Sequence, residues 1–325
     1  MTSCDWRPAA DAQSNLFVVC FTTSTGHTVG VSVPASGERV SMATSTTRKP
    51  PVITHFAARA GDHNDRAMQG SGMIAAELAS RLKVAPVVVG SPEPALRTNW
   101  DDELAAAHPA LLAMAEQYER IFRDGGTPIT ALSRCAVALA TLPVVARHRP
   151  DAVVIWFDAH ADLNTPRNTT TGYLGGLALS GPLGMWHTGI GDGLRTENVI
   201  LCGARDIDPP EQSLIDDGVI TLVGVGPDIT ARLQTAIAGR PVYVHLDCDV
   251  LDPGIVPTDY IVPGGLTLND LKSIADMIAQ HEVVGVEVGE FEAGESPTGG
   301  LVAPGPLIDA LQPLLDKAGV AAAER

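Results

Sequence analysis

The stretch Ala152-Val-Val-Ile-Trp-Phe-Asp-Ala-His-Ala-Asp162 joins an apolar run to three polar side chains that can bind a metal ion. The apolar part, 152–157, is typical of a strand buried on both faces of a parallel sheet. Residues i, i+2 and i+4 of an extended chain point to one side, so Asp158, His160 and Asp162 should converge at the carboxyl end of this strand. Open α/β sheets bind their ligands beyond that end. The stretch therefore predicts a central parallel strand and, next to it, a site.

Similar β-rich runs occur on both sides of this stretch, and helical patterns separate them. The other runs are Val52–Phe56, Val87–Gly90, Pro128–Leu132, Val199–Cys202, Val219–Val223, Val242–Asp247 and Val283–Val288. The helical patterns are Ala67–Leu82, Asp101–Arg123, Ala136–Arg147, Pro210–Asp216, Ile229–Ala238, Leu268–Gln280 and Pro306–Ala318. Strand–helix alternation predicts right-handed crossovers and a doubly wound α/β protein. No glycine-rich phosphate loop follows a strand, which argues against a nucleotide-binding protein.

Composition excludes several classes of partner. The chain of 325 residues has 22 Lys and Arg against 38 Asp and Glu, a formal charge of −16, and only 4% aromatic residues. This balance disfavours nucleic acid and anionic membranes as partners. No apolar stretch approaches the roughly 18 residues that span a bilayer. Five widely spaced cysteines without a C-x-x-C pair argue against a disulfide framework, so we expect a cytoplasmic protein.

The first 50 residues differ from the rest of the chain. They contain seven Ser and eight Thr and lack the strand–helix alternation. We expect residues 1–50 to form a poorly ordered extension, with a weak hairpin at 26–40 as the alternative, and residues 51–325 to form one domain. Met42 is then a candidate for the natural start of the protein.

A second cluster of carboxylates follows another predicted strand. The run Val242-Tyr-Val-His-Leu246 ends in Asp247-Cys-Asp249, and Asp252-Pro253 comes next. Either cluster alone fits helix caps or a surface loop, but two at strand ends favour a shared site. So many buried carboxylates require compensating cations, and oxygen ligands with one imidazole suit Mn²⁺-type ions. Two ions sharing carboxylates would generate hydroxide from water.

These motifs resemble those of the ureohydrolase superfamily, which contains the arginases and agmatinases. Its D-A-H-x-D and D-x-D-x-x-D-P signatures both occur, and the resemblance extends from about Pro51 to the end of the chain. It implies a three-layer α/β/α domain with an eight-stranded, mostly parallel sheet, a trimer or hexamer, and two Mn²⁺ ions per chain. Asp158 and Asp247 would bridge the two ions. The ligands that it implies by position are Asp158, His160, Asp162, Asp247 and Asp249.

Two positions depart from the family pattern. The family's first ligand is a His in a G-G-D-H-S segment, whereas the matching stretch Leu132-Ser-Arg-Cys-Ala136 has Cys135 there. Cys135 is either a thiolate ligand or a buried apolar residue, and position and ligand chemistry favour the ligand. Arginases carry a proton-shuttling His at the position of Gly175, and glycine cannot transfer protons. Nothing in the sequence places His187 in the site as a substitute.

The resemblance also implies a substrate and a mechanism. The two departures, with Asn164-Thr-Pro and Thr171-Gly-Tyr-Leu-Gly-Gly176, resemble the branch that hydrolyses Nω-hydroxy-L-arginine to L-ornithine and hydroxyurea. Asp158-Ala-His-Ala-Asp162 is instead the form of this motif that is common in arginases, so an L-arginase or another guanidino-acid hydrolase is the alternative. A catalytically silent, metal-poor binding protein is the alternative from another class.

The implied roles of the remaining residues divide between the two ends of the substrate. Asp162 would transfer the proton and Glu290 would bind the guanidino group. Glu287, three residues before Glu290 on the last strand, should point the other way and have a structural role, paired with a base. Arg205 is either part of the substrate-binding segment or one half of a surface ion pair, and Glu211 could assist. The residues implied for the amino-acid end are Asn164, Thr171, Asp206 and Asp208.

Overall fold

The computed structural model describes residues 16–22, 28–34, 51–295 and 299–323. Contacts divide the chain into two units, Met1–Thr46 and Thr47–Arg325. In the first unit, strands β1 (Leu16–Thr22) and β2 (Thr28–Pro34) form an antiparallel hairpin. This hairpin begins well before the alternative predicted at 26–40. The rest of the predicted extension, Met42 included, lies outside the described residues.

The second unit is built on the predicted sheet of eight strands. The strands are β3 (Val52–Phe56), β4 (Val87–Val89), β5 (Pro128–Ala131), β6 (Val153–Phe157), β7 (Val199–Cys202), β8 (Thr221–Val223), β9 (Val242–Asp247) and β10 (Val283–Gly289). Their order across the sheet is β4-β3-β5-β10-β9-β6-β7-β8, and every pair is parallel. The prediction of an α/β protein with an eight-stranded sheet is confirmed, and the sheet is wholly rather than mostly parallel.

Helices cover both faces of this sheet. They are α1 (Arg66–Leu82), α2 (Trp100–Arg123), α3 (Ala138–His148), α4 (Pro209–Asp216), α5 (Ile229–Ile237), α6 (Leu268–Ile278) and α7 (Gly305–Ala323). Strand β6 shows how the layers separate, because alternate side chains enter opposite cores. Ile155 belongs to the core that contains buried residues of α1, α5, α6 and α7, whereas Trp156 belongs to the core that contains buried residues of α2 and α3. The result is the expected α/β/α sandwich. In the described part of the chain, no helix has both the length and the apolar character needed to cross a membrane.

The strand order brings the functional motifs together. Strands β5, β10, β9 and β6 are consecutive neighbours in the middle of the sheet. Parallel strands end at the same edge, so the residues that follow these four strands meet there. Two short 3₁₀ turns, Cys135–Val137 after β5 and Cys248–Val250 after β9, shape that edge.

Candidate functional site

Two groups of possible metal ligands lie at the carboxyl edge of the central strands. Cys135, Asp158 and Asp247 form one group, and Asp158, His160 and Asp249 form the other, with ligand atoms within 4.8 Å of one another in each group. Asp158 belongs to both groups. The three aspartates and Cys135 are buried, and His160 is half-buried. Two groups that share one carboxylate are the arrangement that a pair of bridged ions requires.

Backbone N–H groups fix the carboxylates of these groups. The amide of His160 donates to Asp158 Oδ1 at 2.6 Å, and the amide of Ala159 donates to Asp249 Oδ1 at 3.0 Å. The amide of Asp249 donates to Asp247 Oδ1 at 2.7 Å. Hydrogen bonds of this kind hold ligand oxygens in place before any ion arrives.

The buried carboxylates at this edge repel one another, so positive charge nearby would stabilise them. Burial, followed by repulsion from Asp249, raises the pKa of Asp158 to about 6, although bonds from His160 oppose this shift. Burial and neighbouring carboxylates also raise the pKa of Asp247 well above its usual range. Burial lowers the pKa of His160, but its hydrogen bonds to Asp158 and Asp249 outweigh that and raise it to about 12. A divalent cation would satisfy the same carboxylates, so the donor set fits a metal centre.

Cys135 lies within this edge, as predicted. Its Sγ is 3.1 Å from Asp247 Oδ2 and 3.1 Å from His245 Nε2, and His245 Nδ1 is 2.7 Å from Glu287 Oε1. Burial and the charge of Asp247 raise the pKa of the Cys135 thiol. A thiolate here therefore depends on positive charge, which a bound cation would supply.

His245 was missed by sequence reasoning, although a signal was present. It lies two residues before Asp247 on β9 and thus on the same side of the strand. Its ring stacks on Trp156 with centroids 3.5 Å apart. Glu287, expected to pair with a base, contacts His245 and also accepts a hydrogen bond from the hydroxyl of Tyr243 at 2.7 Å.

A buried arginine supports the other side of the edge, and sequence reasoning missed it. Arg134 is fully buried and donates to Asp62 at 3.1 Å, to Glu290 at 2.6 Å and to Glu292 at 2.9 Å. Glu290 also accepts a hydrogen bond from the amide of Cys135 at 2.8 Å. The carboxylate that we expect to bind the guanidino group is therefore held by two donors of the chain.

Two of the predicted site residues have a left-handed backbone. Asp162 has φ 53° and Glu290 has φ 61°. Non-glycine residues in this region are strained, and such strain is concentrated at functional sites. The turn at Asp162 takes its side chain out of the i, i+2, i+4 register, and Asp162 belongs to neither ligand group. Burial and the charge of Asp158 raise its pKa well above the usual range.

The residues expected at the amino-acid end of the substrate line one cavity with the metal ligands. The lining includes Cys135, His160, Asp162, Asn164, Thr171, Asp206, Asp208, Asp247, Asp249 and Glu290. Asn164 Nδ2 donates to Asp208 at 2.8 Å, while its Oδ1 is buried without a hydrogen-bond partner in the described part of the protein. Thr171 is exposed, and the Asp206 side chain is 71% exposed. These groups leave donors and acceptors available at the mouth of the cavity.

Three neighbouring residues have roles that the structure clarifies. Glu211 accepts from the amides of Leu163 and Asp208 at 2.8 and 2.9 Å and completes a capping box at the start of α4. Arg205 forms no ion pair with a described residue, contrary to the alternative of a surface ion pair; its guanidinium donates to backbone carbonyls, including those of Asp249 and Val262. His187 is exposed and is not among the residues that line the cavity.

The fold and this edge define an arginase-like α/β protein. The solved structure of arginase from Bacillus subtilis superposes with a TM-score of 0.70 at 21% identity, covering 82% of this chain and 98% of that one. At that identity the likeness shows the fold. The arginase family model matches residues 49–298, and the chain belongs to this family.

Two curated relatives of named activity are similar to this chain in sequence. The chain is similar to the Nω-hydroxy-L-arginine amidinohydrolase of Streptomyces lavendulae, with 36% identity over 260 residues, 80% of this chain and 95% of the relative. It is also 32% identical over 169 residues to an arginase of Glaciozyma antarctica, which covers 46% of this chain and 49% of that protein.

Proposed function

We propose that this protein hydrolyses the guanidino group of an arginine-type amino acid, and that its substrate is Nω-hydroxy-L-arginine, with L-ornithine and hydroxyurea as products. The observation that carries the proposal is the pair of ligand groups sharing Asp158 in the same cavity as Glu290 and Asn164. One end of that cavity suits cations and the other suits the polar end of an amino acid.

The donor set fits two divalent ions, for which we propose Mn²⁺. The residues that would hold them are Cys135, Asp158, His160, Asp162, Asp247 and Asp249. The ions would activate the attacking water and offset the buried carboxylates. We also expect the protein to form a homo-oligomer, a trimer or a hexamer, in the cytoplasm.

The chain's own residues then bind the substrate and move the proton. Glu290, oriented by Arg134 and the Cys135 amide, accepts hydrogen bonds from the guanidino nitrogens. Asp162, which lines the cavity beside the other proposed ligands, takes the proton of the water as the water oxygen bonds to the guanidino carbon, and delivers it to the leaving δ-nitrogen as the bond from that nitrogen to the carbon breaks. Asn164, Thr171, Asp206 and Asp208 bind the α-amino and α-carboxylate groups.

Two features favour the hydroxylated substrate over arginine. Gly175 offers no side chain to assist protonation of the leaving group, and an N-hydroxyguanidine is the less basic of the two substrates. The relative from Streptomyces lavendulae, of which the chain covers 95%, is an Nω-hydroxy-L-arginine amidinohydrolase. An L-arginase remains the alternative, because arginases are also similar to this chain.

A parallel assay of the Mn²⁺-loaded protein with Nω-hydroxy-L-arginine, L-arginine and agmatine tests the proposal. We expect kcat/KM to be highest for Nω-hydroxy-L-arginine and lowest for agmatine, which lacks the α-carboxylate. Equal or faster turnover of L-arginine would refute the proposed substrate. Fewer than one ion per chain after Mn²⁺ loading, with no turnover, would favour a silent binding protein instead.

A further inference from the structure

The side chain of Tyr173 occupies the space beside Gly175. A Cβ atom built on Gly175 would lie 2.3 Å from Cε1 and 3.0 Å from the hydroxyl oxygen of Tyr173. No real Cβ tolerates the shorter distance, so any side chain at position 175 would displace this ring. The ring of Tyr173 can therefore occupy this position only when residue 175 is a glycine.

The Tyr173 hydroxyl is buried in the cavity without a partner. Its oxygen has no hydrogen bond to any described residue, although Tyr173 lines the same cavity as Gly175 and Glu290. The ring itself is held by neighbours: the centroid of His63 lies 4.4 Å away and that of Tyr260 5.6 Å away. A buried hydroxyl left unpaired destabilises the protein, because it gives up its hydrogen bonds to water without a replacement. A fixed ring that aims such a hydroxyl into a cavity indicates a ligand that completes its bond.

The hydroxyl is a neutral donor. Burial, followed by the charge of Glu290, raises the pKa of Tyr173 well above 10, so the phenol keeps its proton. Glu290 already accepts from Arg134 and from the amide of Cys135, and Tyr173 forms no bond to it. The hydrogen of Tyr173 is therefore available to the substrate.

We propose that Tyr173 is a specificity-determining residue that donates its hydroxyl hydrogen to the oxygen of an N-hydroxyguanidine. The inference rests on the proposed function and deepens it. The guanidinium of arginine has N–H donors and no acceptor, so bound arginine would leave the Tyr173 hydrogen unpaired. The oxygen of an N-hydroxyguanidine accepts it. A site built to bind a substrate hydroxyl rejects the analogue without that hydroxyl, because a buried polar group is left unpaired.

The test compares Tyr173→Phe with the wild type, both loaded with Mn²⁺. We expect kcat/KM for Nω-hydroxy-L-arginine to fall about tenfold, as for loss of one buried hydrogen bond, and kcat/KM for L-arginine to change less than about twofold. Tyr260→Phe is the matched control, because it removes another phenolic hydroxyl from the cavity lining. It should leave the ratio of the two kcat/KM values unchanged. Inhibition by L-ornithine, which lacks the guanidino group, and Mn²⁺ content should be equal in the wild type and Tyr173→Phe.

The possible outcomes separate this inference from the proposed function. An equal fall for both substrates, or no fall for either, would overturn the role of Tyr173 while leaving the function intact. A wild type that turns over neither amino acid would refute the proposed function. In that case calorimetric dissociation constants of the two amino acids test Tyr173 directly, and an unchanged preference in Tyr173→Phe would refute its role.

Discussion

The two halves of the catalytic edge are built in opposite ways. Beyond β6 and β9, Asp158, His160, Asp247 and Asp249 lie in two short sequence motifs, and backbone amides of these two motifs donate to the three carboxylates. Beyond β5 and β10, Arg134 joins carboxylates from distant parts of the chain. We call these the β6–β9 half and the β5–β10 half. Both halves contain more carboxylates than basic groups, but the first depends on cations from outside the chain, whereas the second contains the guanidinium of Arg134.

One cavity thus combines two ways of offsetting the cost of burying charge. In the β6–β9 half the carboxylates gain from a bound ion, which couples its stability and its chemistry to metal. In the β5–β10 half the guanidinium of Arg134 is paired within the fold, so Glu290 is oriented with or without metal. Substitutions that alter the β6–β9 half and leave the β5–β10 half intact, or the reverse, test this difference between the halves.

The largest effect is expected from Asp158→Asn, which removes the carboxylate common to both ligand groups. Bound Mn²⁺ should fall from two ions to fewer than one per chain, and kcat should fall by about a thousandfold or more, since several kcal/mol of stabilisation are lost. Metal analysis by mass spectrometry and steady-state kinetics measure both. Asp228→Asn, on an exposed carboxylate, is the control and should retain both ions. Two tightly held ions in Asp158→Asn would show that Asp158 is not shared.

The next effect is expected from Arg134→Met. Loss of the guanidinium leaves the buried carboxylates of Asp62, Glu290 and Glu292 without their common partner. We expect a loss of about 3–5 kcal/mol in the free energy of unfolding, measured in urea on metal-free protein. The control Arg66→Met removes a half-exposed arginine, 53% accessible, that bonds to Glu292 at 2.7 Å, and should cost less than about 1 kcal/mol. Equal losses of unfolding free energy in the two variants would show that Arg134 stabilises the fold no more than Arg66 does.

Asp62 gives the β5–β10 half a pH dependence. Burial outweighs the effect of Arg134 and raises the pKa of Asp62 to about 6. A carboxyl whose folded pKa exceeds its unfolded value of 3.8 stabilises the fold below about pH 4, and this contribution is lost as the pH rises through 6. The free energy of unfolding of the wild type minus that of Asp62→Asn should therefore fall by up to about 3 kcal/mol between pH 4 and 7. A constant difference across this range, measured in chelator on metal-free proteins, would disprove the assignment.

The β6–β9 half was largely predictable because its information is local. The spacing of Asp158 with His160, and of Asp247 with Asp249, correctly placed each pair together just beyond a strand end, although Asp249 lies in the 3₁₀ turn Cys248–Val250 and not in an extended strand. At Asp162 the backbone has φ 53° and is not extended, yet this residue lines the same cavity as His160 and Asp249. The strands themselves were predictable because parallel strands buried on both faces are almost wholly apolar.

The β5–β10 half could not be predicted in the same way. Arg134 contacts Asp62 and Glu292, which are 72 and 158 residues away in sequence, so no local pattern identifies the pair. Sequence reasoning also could not predict that the Tyr173 ring fills the space beside Gly175, because this depends on the rotamer of Tyr173 and not on sequence spacing. What sequence reasoning did detect in this half was Cys135 and Glu290, both through their positions relative to the family's motifs.

Cys135→Ala sharpens the boundary between the halves, because Cys135 follows β5 but its sulfur lies 3.1 Å from Asp247 of the other half. If the thiolate is a ligand, Mn²⁺ titration of this variant should distinguish the two sites. The site at Asp158, His160 and Asp249 should keep its Mn²⁺ affinity, and the affinity of the other site should fall by about tenfold to a hundredfold. Cys202→Ala is the matched control, a buried cysteine of the apolar core, and both of its sites should keep their affinity. Full metal content and activity in Cys135→Ala would instead make Cys135 a packing residue. The imidazole of His245 beside it would then serve only the Glu287 pair.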